Sequence, residues 1–302
     1  MSSYPVAGKS VLITGAARGI GAETARRLAA KGAKVSLVGL EPEELEKVAA
    51  QCGSDAVWFE TDVTDWDALE RAASGTVEAF GGIDVVMANA GVAVAGLVET
   101  VDPSAWERVI EVNLLGVWRT VRTCLPHVIE RRGYVLPVAS MAAAVHGPVM
   151  SAYAAAKAGV EAFGDSLRGE MAHKGVGVGV AYFSWIATDM VAGGDASPAG
   201  SILRGRMKGP LGKTYPLSVA VDAVEHGIEN RARRVVAPGW ARIMLAARDL
   251  IGPLQDREVS KYMPEVEKAF NAAIAERGTE ASAPVGAGGQ ADTRSRSSAA
   301  SR

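Results

Sequence analysis

Along the chain, short β-branched runs alternate with longer segments of helical period. The runs at 10–14, 34–39, 56–60, 83–88, 134–139, 176–183 and 234–237 predict seven strands. Their cores (VLIT, VSLV, IDVVMA, GVGVAYF) are nearly unbroken apolar stretches without the alternation of a half-wet sheet. Such strands are covered on both faces, so helices must lie on each side of the sheet. Helical period and punctuation place those helices at 21–31, closed by Gly32, and at 42–51, opened by Pro42 and followed by Gly53. Further helices are expected at 65–80, 103–131, 152–173 and 216–231. Strand then helix, repeated, predicts an α/β fold: a single Rossmann-type, doubly wound parallel sheet of about seven strands with helices on both faces.

No break divides residues 1–277, which read as one domain. Within it, 192–215 is rich in Gly and small residues between a strand and a helix, the profile of a lid over a substrate site. Residues 239–276 read as a C-terminal helical extension. At 239–252 it sets Trp240, Ile243, Met244, Ala247, Leu250 and Ile251 on one face, opposite Arg242 and Asp249. Packing over the cleft or in a subunit interface is the favoured use of that face, with peripheral membrane contact as the alternative. Residues 278–302 are Gly, Ala, Ser and Arg with almost nothing large and apolar, which predicts a disordered tail.

Composition narrows the partners. With 48% hydrophobic residues the 302-residue chain can fill a large core, and a formal net charge of -2 lacks the positive surplus that a nucleic acid partner requires. Cys52 and Cys124 form no zinc-like spacing, and no metal site is expected. Two isolated cysteines, no signal-peptide core and no run of roughly 18 apolar residues point to a cytoplasmic protein.

The chemistry begins at Thr14-Gly15-Ala16-Ala17-Arg18-Gly19-Ile20-Gly21, directly after the first strand and opening a helix. Glycines allow a tight turn and a close approach to a pyrophosphate, whose charge meets the helix N-terminus. The spacing Thr-Gly-x-x-x-Gly-x-Gly resembles the classical short-chain dehydrogenase/reductase family. Further landmarks follow in order: Asp62-Val63, Asn89-Ala90-Gly91, Asn113, Ser140 and Tyr153-x-x-x-Lys157. The likeness extends over roughly residues 9–237. It implies NAD(P) as cofactor, with Gly15, Ala17, Arg18, Gly19, Ile20 and Gly21 around its phosphates. It also implies that Asp62, with Val63, holds the adenine, and that the Asn89-Ala90-Gly91 turn packs beside the adenine ribose. Thr188 is the residue matching the contact to the nicotinamide carboxamide. Homo-oligomerisation is a further implication of the resemblance.

Tyr153 and Lys157 stand four apart, so a helix at 152–173 stacks them on one face. A nearby ammonium favours the phenolate, making Tyr153 the proton donor or acceptor. Ser140, ending a strand where ligands gather in open sheets, can orient the substrate oxygen. The resemblance gives Asn113 a water linking Lys157 to solvent, and Lys157 a grip on the ribose. His146 reads as a loop histidine outside the catalytic set. At the second strand's tip, Val38-Gly39-Leu40-Glu41 has an acid two residues late and no Arg at Leu40; Glu41 would repel a 2′-phosphate, so NAD is favoured and NADP stays open.

One departure stands out: Phe183-Ser184-Trp185 replaces the family's Pro-Gly turn, leaving Trp185 either in the core or facing substrate. Residues expected near the substrate, Met141, Val145, Met150, Trp185, Met190 and Val191, are mostly apolar. A small apolar secondary alcohol or ketone is therefore the expected substrate, although Arg204, Arg206 and Lys208 in the lid could bring charge in. An epimerase or dehydratase with transient nicotinamide redox, and a non-catalytic cofactor sensor, are the alternative readings.

Overall fold

Six parallel strands form the central sheet in the order β3-β2-β1-β4-β5-β6, in a computed structural model that describes residues 4–300. They are β1 (Ser10–Thr14), β2 (Lys34–Gly39), β3 (Ala56–Glu60), β4 (Val85–Ala88), β5 (Tyr134–Pro137) and β6 (Gly177–Val178). A second pair, β7 (Val180–Phe183) and β8 (Arg234–Ala237), is joined to β5's end by a bridge from Val138 to Ala181. The single run expected at 176–183 is thus split at Gly179. The chain passes too close to Tyr134 there for any side chain: a Cβ would lie 2.0 Å from the Tyr134 hydroxyl, which donates to the Ala232 carbonyl at 2.7 Å.

Alternate strand residues face opposite layers, as the period of two demands. From β1, Val11 and Ile13 enter a core shared with Leu28, Leu45 and Ile228, from α1 (Gly19–Ala30), α2 (Pro42–Cys52) and α9 (Leu217–Glu229). Leu12 faces the other core, with Val121, Val160 and Leu167, from α5 (Gly116–Glu130) and α6 (Ser151–Met171). α3 (Trp66–Phe80) lies on that side also. The chain reverses its progress across the sheet between β1 and β4, which leaves a crevice at their carboxyl ends.

The helix expected over 103–131 is present with a widened turn inside it: α4 (Pro103–Ile110), a π turn at Glu111–Leu115, then α5. The lid segment is largely helical, as α7 (Asp189–Asp195) and α8 (Pro198–Arg206). Thr188 and Ser197 cap these helices, their side chains accepting from the N–H groups of Val191 and Gly200. α10 (Ala241–Val259) buries Ala241 and Leu245, which lie outside the expected apolar stripe, and leaves Ile243 and Leu250 of that stripe exposed. The Ile251 side chain lies outside the described residues. Among the described residues no helix is long and apolar enough to cross a membrane.

α11 (Met263–Arg277) leads into the segment expected as a disordered tail. That segment instead forms a short turn at Gly278–Ser282 and α12 (Gly286–Ala300), packed against α7. Composition missed this because the docking uses close backbone approach and charge in place of large apolar side chains. A Cβ on Gly193 would meet the Gly286 nitrogen at 2.6 Å, and Asp292 is buried in an ion pair with Arg108.

Candidate active site

The crevice holds a cavity of about 240 Å³. Gly15, Ala17, Arg18, Gly19 and Ile20 form its floor, Glu41, Asp62 and Val63 one end, and Ser140, Tyr153, Lys157 and Thr188 the other, with Asn89, Ala90 and Gly91 between. Two of the expected residues do not line it. Gly21 sits behind the loop, where a Cβ would be 2.3 Å from the Gly15 carbonyl oxygen, and Asn113 is fully buried.

Gly15 has φ +66 and its missing Cβ would lie 2.9 Å from the Ala90 Cα, so only glycine brings β1's loop this close to β4's. Thr14 and Asn89 lock the two ends together. The Thr14 hydroxyl accepts from the N–H groups of Asn89 and Ala90, and the Asn89 amide donates to the Thr14 and Gly15 carbonyls. No side chain caps α1 and its first turn holds no acid, leaving helix N–H groups for an anion. This cradle fits the phosphates of a dinucleotide.

Beyond the tip of β2 the Arg18 guanidinium is gripped by Glu41, with Nε to Oε2 at 3.0 Å and a second contact from Nη2 to Oε1, and by Asp189 at 3.0 Å. The Glu41 bond, above all, raises the Arg18 pKa. Asp62 accepts from the Thr64 N–H and hydroxyl and from Arg108 at 2.8 Å. Burial alone would raise its carboxyl; the Thr64 and Arg108 bonds outweigh it and hold the acid below its ordinary range. Arg108 gave no sequence signal, nor did its buried partner Asp292, 184 residues away.

Tyr153 lies on the first turn of α6 with Lys157 below it, the ammonium 5.6 Å from the ring centroid. Lys157 Nζ donates to the Val138 carbonyl at 2.8 Å, and burial lowers its pKa to about 8. Burial also raises the Tyr153 phenol, an effect that the Ser140 side chain partly offsets. Desolvation thus works against the phenolate that the ammonium favours, and it pushes Lys157 itself toward neutrality. Ser140 is oriented by the Ala142 N–H, which it accepts at 3.2 Å.

The Asn113 carboxamide is spent on Val92, accepting from its N–H at 2.8 Å and donating to its carbonyl at 2.7 Å. Gly91 stands between Asn113 and Lys157; a Cβ there would lie 2.8 Å from Asn113 Oδ1 and 3.8 Å from Lys157 Nζ. Thr188 donates to the Ile186 carbonyl and caps α7. Of the residues expected near substrate, Met190 and Val191 reach the cavity wall, joined by Ile186 and Val92. Met141, Val145, Met150 and Trp185 do not line it. Trp185 instead stacks beneath Arg204, 4.2 Å from its ring centroid, and the His146 ring lies 3.3 Å from the Ala143 carbonyl.

The parallel sheet, its glycine loop and the helix-borne Tyr–Lys pair define a dinucleotide-binding α/β protein. A family model described as short chain dehydrogenase matches residues 9–197. The chain is 32% identical over 246 residues to the 2,3-dihydro-2,3-dihydroxybenzoate dehydrogenase of Bacillus subtilis, covering 78% of this chain and 94% of the relative. It is 35% identical to the trans-4-hydroxycyclohexanecarboxylate dehydrogenase of Sinomonas cyclohexanicum, over 62% of this chain and 76% of the other. With a 3-oxoacyl-[acyl-carrier-protein] reductase of Haemophilus influenzae the identity is 31%, over 71% and 89%. The chain therefore belongs to the short-chain dehydrogenase/reductase family and is an oxidoreductase acting on CH–OH groups with NAD or NADP as acceptor.

Proposed function

We propose that the protein interconverts an apolar secondary alcohol and its ketone, with NAD as the preferred dinucleotide and Tyr153 as the acid/base. The observation that carries this reading is that Ser140, Tyr153 and Lys157 line the same cavity as the glycine loop, Asp62 and Thr188. Bound NAD supplies the hydride acceptor in oxidation and, reduced, the donor in the opposite direction. Tyr153 takes the hydroxyl proton of the alcohol as hydride leaves its carbon, and returns a proton to the ketone oxygen in reduction. Ser140 holds that oxygen against the phenol and steadies its developing charge. Lys157 grips the ribose and supplies the charge that supports the phenolate, while Asn113 fixes the Val92 backbone beside it.

The preference for NAD is supported by Arg18. Two carboxylates already claim the guanidinium, so a 2′-phosphate would enter a locally anionic site. Apolar substrate is supported by Ile186, Met190 and Val191, and by the cavity's cations being Arg18 and Lys157, both already paired. The Bacillus subtilis and Sinomonas cyclohexanicum relatives are named for carboxylated ring substrates; among the described residues no further cation lines this cavity to meet such a group.

A panel of apolar secondary alcohols and matched carboxylated ones, assayed with NAD and NADP for net formation of reduced nicotinamide, tests this. Turnover of the apolar members with NAD is expected. Preferred turnover of the carboxylated members, or product formed without accumulated reduced nicotinamide, overturns it; the latter marks an epimerase or dehydratase.

A further inference from the structure

Residues 285–292 run along the cleft. The Val285 N–H donates to the Ala93 carbonyl at 2.9 Å, just beyond the Asn89-Ala90-Gly91 turn. Gly286, at φ +77, is pressed so closely on Asp189 that a Cβ would lie 2.6 Å from its carbonyl oxygen. Gly288, Gly289 and Ala291 then line the cavity opposite the glycine loop. Asp292, 1% exposed, accepts from Arg108 Nε at 3.0 Å and Nη2 at 2.6 Å. The same Nη2 donates to Asp62 at 2.8 Å. The segment thus follows the course expected of the dinucleotide, from Thr188's neighbour past Arg18 to Asp62.

With the tail in this position the cavity measures about 240 Å³. Ordinary small-molecule pockets run from roughly 300 to 1,000 Å³, and a dinucleotide is a large ligand. We propose that residues 286–298 are an intramolecular plug of the cofactor cleft, which the dinucleotide must displace to bind. This rests on the reading of the cleft as a dinucleotide site.

The tail is built to let go. Its contact surface is glycine and alanine, which bury little apolar area. Its anchor is a buried ion pair whose desolvation offsets much of its attraction. A docked tail lowers apparent affinity by the fraction of molecules whose cleft is open, so a tail docked nine-tenths of the time weakens binding about tenfold.

Amide hydrogen exchange on the full chain, with and without saturating NAD, provides the test. The plug predicts that exchange at 286–298 accelerates at least about tenfold on NAD addition, while the loop at 14–21 becomes protected. Asp292→Asn in the full chain is expected to tighten NAD binding at least about threefold. Protection of 286–298 by NAD, a strap instead of a plug, overturns the proposal. So does an unchanged tail when the 14–21 loop is protected, and so does unchanged or weakened NAD affinity in Asp292→Asn. If neither segment responds and no NAD binds, the dinucleotide reading itself fails and takes the plug with it.

Discussion

The Tyr153 ring stands one helical turn above Lys157, whose ammonium lies 5.6 Å from its centroid and is held in place by the Val138 carbonyl. Neither group is at its ordinary pKa, because burial disfavours the charged form of each. The phenolate and the ammonium are costly apart and support each other when both are present.

The first prediction concerns the pH profile. Alcohol oxidation needs Tyr153 deprotonated, so kcat/KM in that direction should climb through the alkaline range, and ketone reduction should fall over the same range. The Ser140 side chain beside it draws the phenol's pKa downward. Ser140→Ala should therefore move the alkaline inflection upward and lower kcat by about 10²-fold or more. A profile that keeps its inflection in this variant would separate Ser140 from the proton path.

Stability should report Lys157 independently of catalysis. Its folded pKa of about 8 lies below the ordinary value of 10.5, so between those pH values the unfolded chain carries a proton that the folded chain has lost. Stability from this group rises with pH across that window, and its cost is fully present below about pH 8. At ~1.4 kcal/mol per pKa unit the cost is on the order of 3 kcal/mol. Lys157→Met leaves the Val138 carbonyl without its donor, which returns part of the gain. Denaturant unfolding of both proteins should show the variant's relative stability greatest at pH 7 and declining toward pH 10.5; a difference independent of pH would contradict the buried amine.

Glu41 should govern the choice of dinucleotide. Glu41→Ala releases one of the two carboxylates on Arg18. The ratio of kcat/KM with NADP to that with NAD is expected to rise about tenfold or more, ~1.4 kcal/mol. An unchanged ratio would mean that Arg18 and Glu41 lie off the ribose.

Much of this architecture was legible in the sequence because its signals are local. The apolar runs of β1, β2 and β4, the loop from Thr14 to Gly21 and the four-residue step from Tyr153 to Lys157 each lie within a few residues. Arg108, Asp189 and Asp292 carry no such signal; they meet the site across 46 to 184 residues, through tertiary packing alone. The lid helices were readable in principle, since Ser197 followed by Pro198 is cap chemistry, but Gly193, Gly194 and Gly200 hid it. Trp185 went toward Arg204 because a cation over the indole face lies within reach there.

The central claim is tested most directly by Tyr153→Phe, measured for both turnover and NAD binding. The account predicts turnover reduced by about 10²–10⁴-fold with NAD affinity within a few-fold of the parent, since only the proton-carrying hydroxyl is removed. Turnover retained at the parent's level would contradict it and assign the proton to another group.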